Sequence, residues 1–271
     1  MSVISAILAK EFIAVGTDSL LTECENGRRI PKKNSYTIPK YVAFRNLRCI
    51  ASYWGLATIE VKGRKVWSTY AWLLEKQRDQ DTFSSMEELA NSLCEELKAI
   101  LSKYPLRSPL DYGIGIHLCG FETFGDEQIP ELYLISNYRS PLYDCVSDLE
   151  YSRRTFADLA GNTLELKEIK DLNEQRRIYN NYLISGGMQF FNNGDPVLYN
   201  SFSMAYFNAI YEVKRRQKLK EMSKAEFYKG LVRRPIELVK EIQKNYYHKH
   251  DIVVGGKIHS VVMNSEGEFF E

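Results

Sequence analysis

Residues 2–18 read SVISAILAKEFIAVGTD. Two short apolar runs, Val3–Ala9 and Phe12–Thr17, are joined by Lys10-Glu11, a break so brief that the stretch predicts a β-hairpin. The apolar residues run on without alternating, so both faces of the hairpin should be covered. A second hairpin is expected further on, from Tyr41–Phe44, a turn at Arg45-Asn46, and Leu47–Tyr53. Residues 19–37, polar and punctuated by Gly27 and Pro31, read as a long loop between the two.

Helices are expected next at Arg64–Arg78 and Met86–Tyr104. The second has an apolar stripe through Met86, Leu89, Leu93, Leu97 and Leu101, a capping box from Ser85 and Glu88, and Pro105 as a stop. Strands return at Asp111–Phe121 and Glu131–Ser136. Residues 137–180 form an insertion with one expected strand at Thr163–Ile169, and Asn181–Ile184 leads into Ser185-Gly186-Gly187. Helices over Tyr199–Lys220 and, split by Pro235, Lys224–Gln243 precede a last strand at Lys257–Met263. Hairpins with helices grouped in pairs point to α+β layers in a single domain over residues 1–271.

The 271 residues are 44% hydrophobic and 26% charged, enough for a large core and unlike a disordered chain. Thirty-six basic against 35 acidic residues leave +1, which offers no global field for nucleic acid or anionic lipid. The five cysteines are odd in number and without a CxxC, so reduced thiols and a cytoplasmic location are expected. The start MSVISAILAKEF has no basic segment before its apolar run, so no signal peptide is read, and the mature chain is expected to begin after Met1. Neither GxGxxG nor GxxxxGK[ST] occurs, and no cofactor is expected. His248 and His250, two apart at a helix end, read as a polar cap and not as a metal site.

Removal of Met1 would leave Ser2 with a hydroxyl and a free α-amine on one residue. Such an amine can act as the base that activates its own hydroxyl. Its ordinary pKa of roughly 7.7–8.0 already suits neutral pH, and a nearby lysine would lower it further. A serine at position 2 is common and usually means nothing. Here it opens a buried strand, and other residues follow at telling intervals: Asp18 sixteen positions after Ser2, then Lys40, then Ala51-Ser52-Tyr53-Trp54-Gly55, with Ser52 twelve after Lys40. Later come Ile184-Ser185-Gly186-Gly187 and Asp251-Ile-Val-Val254-Gly255-Gly256.

In this order and spacing the chain resembles the proteasome and HslV-type peptidases, the N-terminal nucleophile hydrolases of proteasome type. That family has a nucleophilic Thr or Ser at the mature N-terminus, an Asp sixteen residues later, a Lys at the start of the third strand and an Ala-Gly-x-x-Gly segment. It also carries a Gly-Ser-Gly-Gly and an Asp-x-x-[Ser/Thr]-Gly-Gly. This chain has Ser2 for Thr, Ser52 for the first Gly and Val254 for the hydroxyl residue. Lys32 and Lys33 are the alternatives to Lys40 if the extra loop length lies after them.

The resemblance implies a four-layer αββα sandwich and amide hydrolysis, most often of peptide bonds, without metal or cofactor. It implies Ser2 as nucleophile, Lys40 as the cation that lowers the Oγ and amine pKa values, and Asp18 as the partner of Lys40. It further implies the Ser52 backbone N–H as oxyanion donor, and Ser185 and Asp251 as partners of the α-amine. Assembly of copies into a ring or dimer is implied as well; an ATPase partner stays open. Two other readings stand beside it: a catalytically silent subunit with an assembly or binding role, and the same chemistry on a small-molecule amide or in acyl transfer.

Overall fold

Two strands, Ile4–Ala9 (β1) and Phe12–Thr17 (β2), pair antiparallel with Ile4 opposite Thr17 and Leu8 opposite Ile13. They come from a computed structural model that describes residues 3–20, 22–25, 28–31, 37–104, 113–138, 145–154, 171–193, 223–246 and 254–271. Further strands are Thr22–Glu25 (β3), Arg28–Pro31 (β4), Tyr41–Phe44 (β5), Cys49–Gly55 (β6), Thr58–Val61 (β7) and Arg64–Ser68 (β8). After helices Thr69–Arg78 (α1) and Met86–Lys103 (α2) come Ile114–Phe124 (β9), Glu127–Tyr138 (β10) and Cys145–Arg154 (β11). Leu172–Ile184 (α3), Met188–Asn193 (β12), Lys224–Tyr246 (α4), His259–Asn264 (β13) and Phe269–Phe270 (β14) complete the order.

The protein is mixed α and β with antiparallel sheets. One five-stranded sheet has the order β12-β1-β2-β13-β14, the other β11-β10-β9-β6-β5. The unbroken apolar run of β1 follows from strand geometry, in which successive side chains leave on opposite faces. Ile4, Ala6 and Leu8 enter a cluster with Ile50, Trp54, Cys119 and Leu132 of the second sheet. Ile7 and Ala9 face the other way and pack with Tyr228, Leu231 and Val232 of α4. Gly16 permits this contact, because a Cβ there would lie 2.7 Å from the Val232 carbonyl oxygen. On the second sheet, Val42, Phe44, Ala51, Tyr53, Ile116 and Leu118 pack against Leu73 of α1 and Leu89, Leu93 and Leu97 of α2.

The start of α2 is capped as its sequence implies. Ser85 Oγ accepts the Glu88 N–H at 3.1 Å, and the Glu88 carboxylate takes the Ser84 N–H and hydroxyl at 2.7 Å. Such a cap contributes about 1 kcal/mol.

Several expectations need correction. The loop expected over 19–37 contains the β3-β4 hairpin. The helix expected from Arg64 begins only at Thr69. Residues 64–68 pair instead with β7 across a two-residue turn in which Lys62 and Gly63 both have positive φ, the geometry that joins twisted strands. Within 137–180, β11 and most of α3 are present. Residues 181–184, which the resemblance implies lie at a strand end, are the last turn of α3, whose Tyr179 and Leu183 bury against Ile129. Helix α4 runs through Pro235 without ending. The expected strand Thr163–Ile169 and helix Tyr199–Lys220 lie outside the described residues.

Candidate functional site

Asp18 follows the last residue of β2 and is fully buried. Its Oδ1 accepts the Val3 N–H at 3.1 Å and the Lys40 ammonium at 2.8 Å, and its Oδ2 accepts the Gly255 N–H at 3.1 Å. The Asp18 N–H donates back to the Val3 carbonyl at 3.3 Å. One carboxylate thus joins three segments distant in sequence: the entrance of β1, the entrance of β5 and the loop before β13.

Lys40 is 1% exposed. A buried ammonium persists only when its donors are matched. Here Nζ bonds Asp18 and, at 2.6 Å, the Leu20 carbonyl. Its backbone is held equally firmly, since the N–H donates to Thr17 Oγ1 at 3.2 Å and the carbonyl accepts the Tyr53 N–H at 3.0 Å. Burial pulls the Lys40 ammonium below its ordinary pKa, while the charge and hydrogen bond of Asp18 oppose the fall. This arrangement sets a cation, poised to lose its proton more readily than a free lysine, on the same carboxylate oxygen that holds the Val3 N–H.

Ser2, Asp251 and the alternatives Lys32 and Lys33 lie outside the described residues. Asp18 and Lys40 are brought together. Val254 is buried and packs on Val3, Ile236 and Val239.

Ser52 lies in the middle of β6, opposite Tyr41 on one side and His117 on the other. Its Oγ is buried without a hydrogen-bond partner among the described residues. In an antiparallel ladder, peptide groups alternate in direction along a strand. The Tyr53 N–H goes to Lys40 and the Leu56 N–H to the Gly113 carbonyl at 2.8 Å. Even-numbered N–H groups of β6 therefore turn to β9, and that of Ser52 turns into the sheet, not toward Lys40. By the same parity the Gly55 N–H leaves on the Lys40 side, at the strand end, where Gly55 has φ 82°. A left-handed φ of this kind favours glycine. At this end of β6 the N–H groups on the β5 side are those of Tyr53 and Gly55, and that of Tyr53 is taken by the Lys40 carbonyl.

Ser185 is not part of this group. It caps the C-terminus of α3, and its hydroxyl donates to the Tyr182 carbonyl at 2.7 Å. The following strand β12 runs antiparallel to β1 with Met188 opposite Ala9 and Asn193 opposite Ile4. Ser185 thus sits beyond the Ala9 end, on the order of 17 Å of strand from Ile4. Asn193 is the β12 residue that reaches the Val3 end.

Sequence reasoning also missed Gly255 as a donor to Asp18 and Gln243 as the acceptor of the Val254 N–H at 3.0 Å. The Gly255-Gly256 pair was visible, but nothing local marks a helical glutamine as part of a loop. Among the described residues no group of three His, Cys, Asp or Glu is placed to hold a metal ion. Cys49, Cys94 and Cys119 are buried free thiols. Among the described residues no helix is long and apolar enough to cross a membrane.

The chain matches no protein-family model, and no curated protein is significantly similar to it.

Proposed function

We propose that the protein is an N-terminal-serine amide hydrolase of the proteasome type that cleaves peptide bonds, built as a four-layer αββα sandwich. The buried Asp18–Lys40 pair carries this reading, because the same carboxylate also holds the N–H of Val3, one residue from the proposed nucleophile. The layering is supported by one cluster shared between the two sheets and by separate clusters that join each sheet to helices.

In the proposed reaction Met1 has been removed. The Ser2 α-amine takes the Oγ proton, directly or through one water, and Oγ attacks the substrate carbonyl carbon. Lys40 stabilises the anionic oxygen that forms and keeps the amine unprotonated by charge repulsion. Asp18 fixes Lys40. The Gly55 N–H bonds the oxyanion of the tetrahedral intermediate. The α-ammonium returns its proton to the departing amine as the C–N bond breaks, which leaves an ester on Ser2. Water, deprotonated by the same α-amine, then cleaves that ester, releasing the acid and restoring the Ser2 hydroxyl. Association of copies through the outer helices belongs to the same reading.

A peptide epoxyketone, which needs both the hydroxyl and the free amine, tests it by intact mass. One adduct is expected on Ser2, lost in Ser2→Ala, with peptide hydrolysis reduced on the order of 10³-fold. Hydrolysis at the native rate by Ser2→Ala, or by protein that retains Met1, would refute the nucleophile. Val254, apolar where the family has a hydroxyl, favours a second reading as a silent subunit of the same fold. A free Ser2 amine that never labels would select it.

A further inference from the structure

One face of helix α4 holds two of the segments that Asp18 binds, the entrance of β1 at Val3 and the loop before β13 at Val254–Gly256. Ile236, Val239, Lys240 and Gln243 follow the spacing i, i+3, i+4, i+7 and so share one stripe. Ile236 and Val239 pack with Val3 and Val254. Gln243 is fully buried, and its Oε1 accepts the Val254 N–H at 3.0 Å. Lys240 donates to the Gly256 carbonyl at 2.6 Å. Between these two holds, Gly255 turns inward: its N–H reaches Asp18, and its carbonyl accepts the Ser19 and Leu20 N–H groups at 3.2 and 3.1 Å.

We infer that Gln243 is a positioning residue of the site, setting the orientation of the Val254–Gly255 segment and through it the set of donors on Asp18. The inference rests on the proposed hydrolase for its meaning, but not for its geometry. Val254 is buried, so its N–H needs an acceptor. Gln243 supplies one from the helix, and this frees the next peptide to face Asp18. Without it, the Val254 N–H must turn to find another partner, and rotation of one peptide carries its neighbour along. The Gly255 N–H then leaves Oδ2. A carboxylate that has lost one of its three donors presents more negative potential to the ammonium it faces, and Lys40 holds its proton more tightly. The helix therefore tunes the cation without touching it.

The test compares Gln243→Met, which keeps length and burial but offers no comparable acceptor, with Lys240→Met, which removes only the partly exposed hold. Lys244→Met, an exposed change one residue along the helix, is the control. In protein with 13C-labelled lysine, the Lys40 Cε resonance is followed against pH. The titration of Lys40 should move to higher pH in Gln243→Met, less so in Lys240→Met, and not at all in Lys244→Met. An Asp18 carboxylate held by one donor fewer also fixes Lys40 less firmly, so the maximal rate of epoxyketone labelling should fall at least tenfold in Gln243→Met through lost positioning, while the half-saturating concentration stays within twofold. Gln243→Glu, which restores an acceptor, should recover part of that rate.

Folded Gln243→Met with a native Lys40 titration would overturn the inference. If Gln243→Met does not fold, an unmoved titration in Lys240→Met overturns it instead. Wild-type protein that never labels would remove the hydrolase reading while the Lys40 titration still decides the role of Gln243.

Discussion

Lys40 Nζ lies 2.8 Å from Asp18 Oδ1, with the two side chains 1% and 0% exposed. Two charges taken so completely out of water are costly to separate chemically, because removal of one leaves the other buried alone. Lys40→Met should therefore destabilise the fold by about 3–5 kcal/mol. The double change Lys40→Met/Asp18→Asn should cost clearly less than the sum of the single changes, since the neutral amide still accepts the Val3 N–H. Urea denaturation of the four proteins measures the coupling. Additive single effects would mean that the pair is no unit.

The depressed pKa of Lys40 has a defined signature in stability. Between its lowered folded value and the ordinary value, the unfolded chain holds a proton that the folded chain has released. Stability therefore rises with pH across that window, and the penalty is fully present below it. The buried tyrosines act oppositely. Burial lifts the Tyr41 and Tyr228 hydroxyls to about 12, so they weaken the fold as pH rises above the ordinary tyrosine value of 10. The Lys40 contribution must be read as the difference between wild type and Lys40→Met. That difference should shift in favour of wild type as pH rises toward the ordinary lysine value. A difference independent of pH would mean that Lys40 titrates like a free lysine.

The ladder parity of β6 separates Ser52 from Gly55. Ser52→Ala, which keeps the backbone N–H, should leave labelling within about twofold and change stability by less than about 1 kcal/mol, because it deletes a buried hydroxyl with no hydrogen-bond partner among the described residues. Gly55→Ala keeps the N–H but strains the left-handed backbone that aims it, and should slow labelling by up to the order of 10²-fold, the size of losing one oxyanion donor. It should also cost about 1–2 kcal/mol from the left-handed backbone. Both are read in one labelling series. Wild-type labelling by folded Gly55→Ala would remove Gly55 as the donor, and a loss of labelling in Ser52→Ala would show that the Ser52 side chain lies in the site.

Ser185 lies past the end of β1 remote from Val3, at the end of α3. Ser185→Ala should keep wild-type labelling kinetics and shift stability by no more than about 0.5 kcal/mol. A loss of labelling with the fold intact would show that β12 takes another register in solution.

Local chemistry made part of this legible in sequence. Continuous apolar runs in β1, β2 and β6 announced strands covered on both faces, and Ser85 with Glu88 announced the start of α2. The turn at Lys62-Gly63 and the helix start at Asp171, whose side chain accepts the Asn173 N–H at 2.9 Å, were also local signals, though a helical pattern and a motif hid them.

What the sequence by itself determined is which segments are buried and which residues bear charge within them: Asp18 at the end of one strand and Lys40 at the start of another. Tertiary structure alone decided their partners. The register of β12 against β1 carried Ser185 away from Val3, and the pairing of β5 with β6 chose which N–H groups face Lys40. A one-residue slip would reverse that choice without altering the apolar composition of either strand. Gln243 was silent for the same reason. Its acceptor serves a backbone N–H eleven residues further along the chain, and only the packing of Ile236 and Val239 on Val3 and Val254 brings the two within reach.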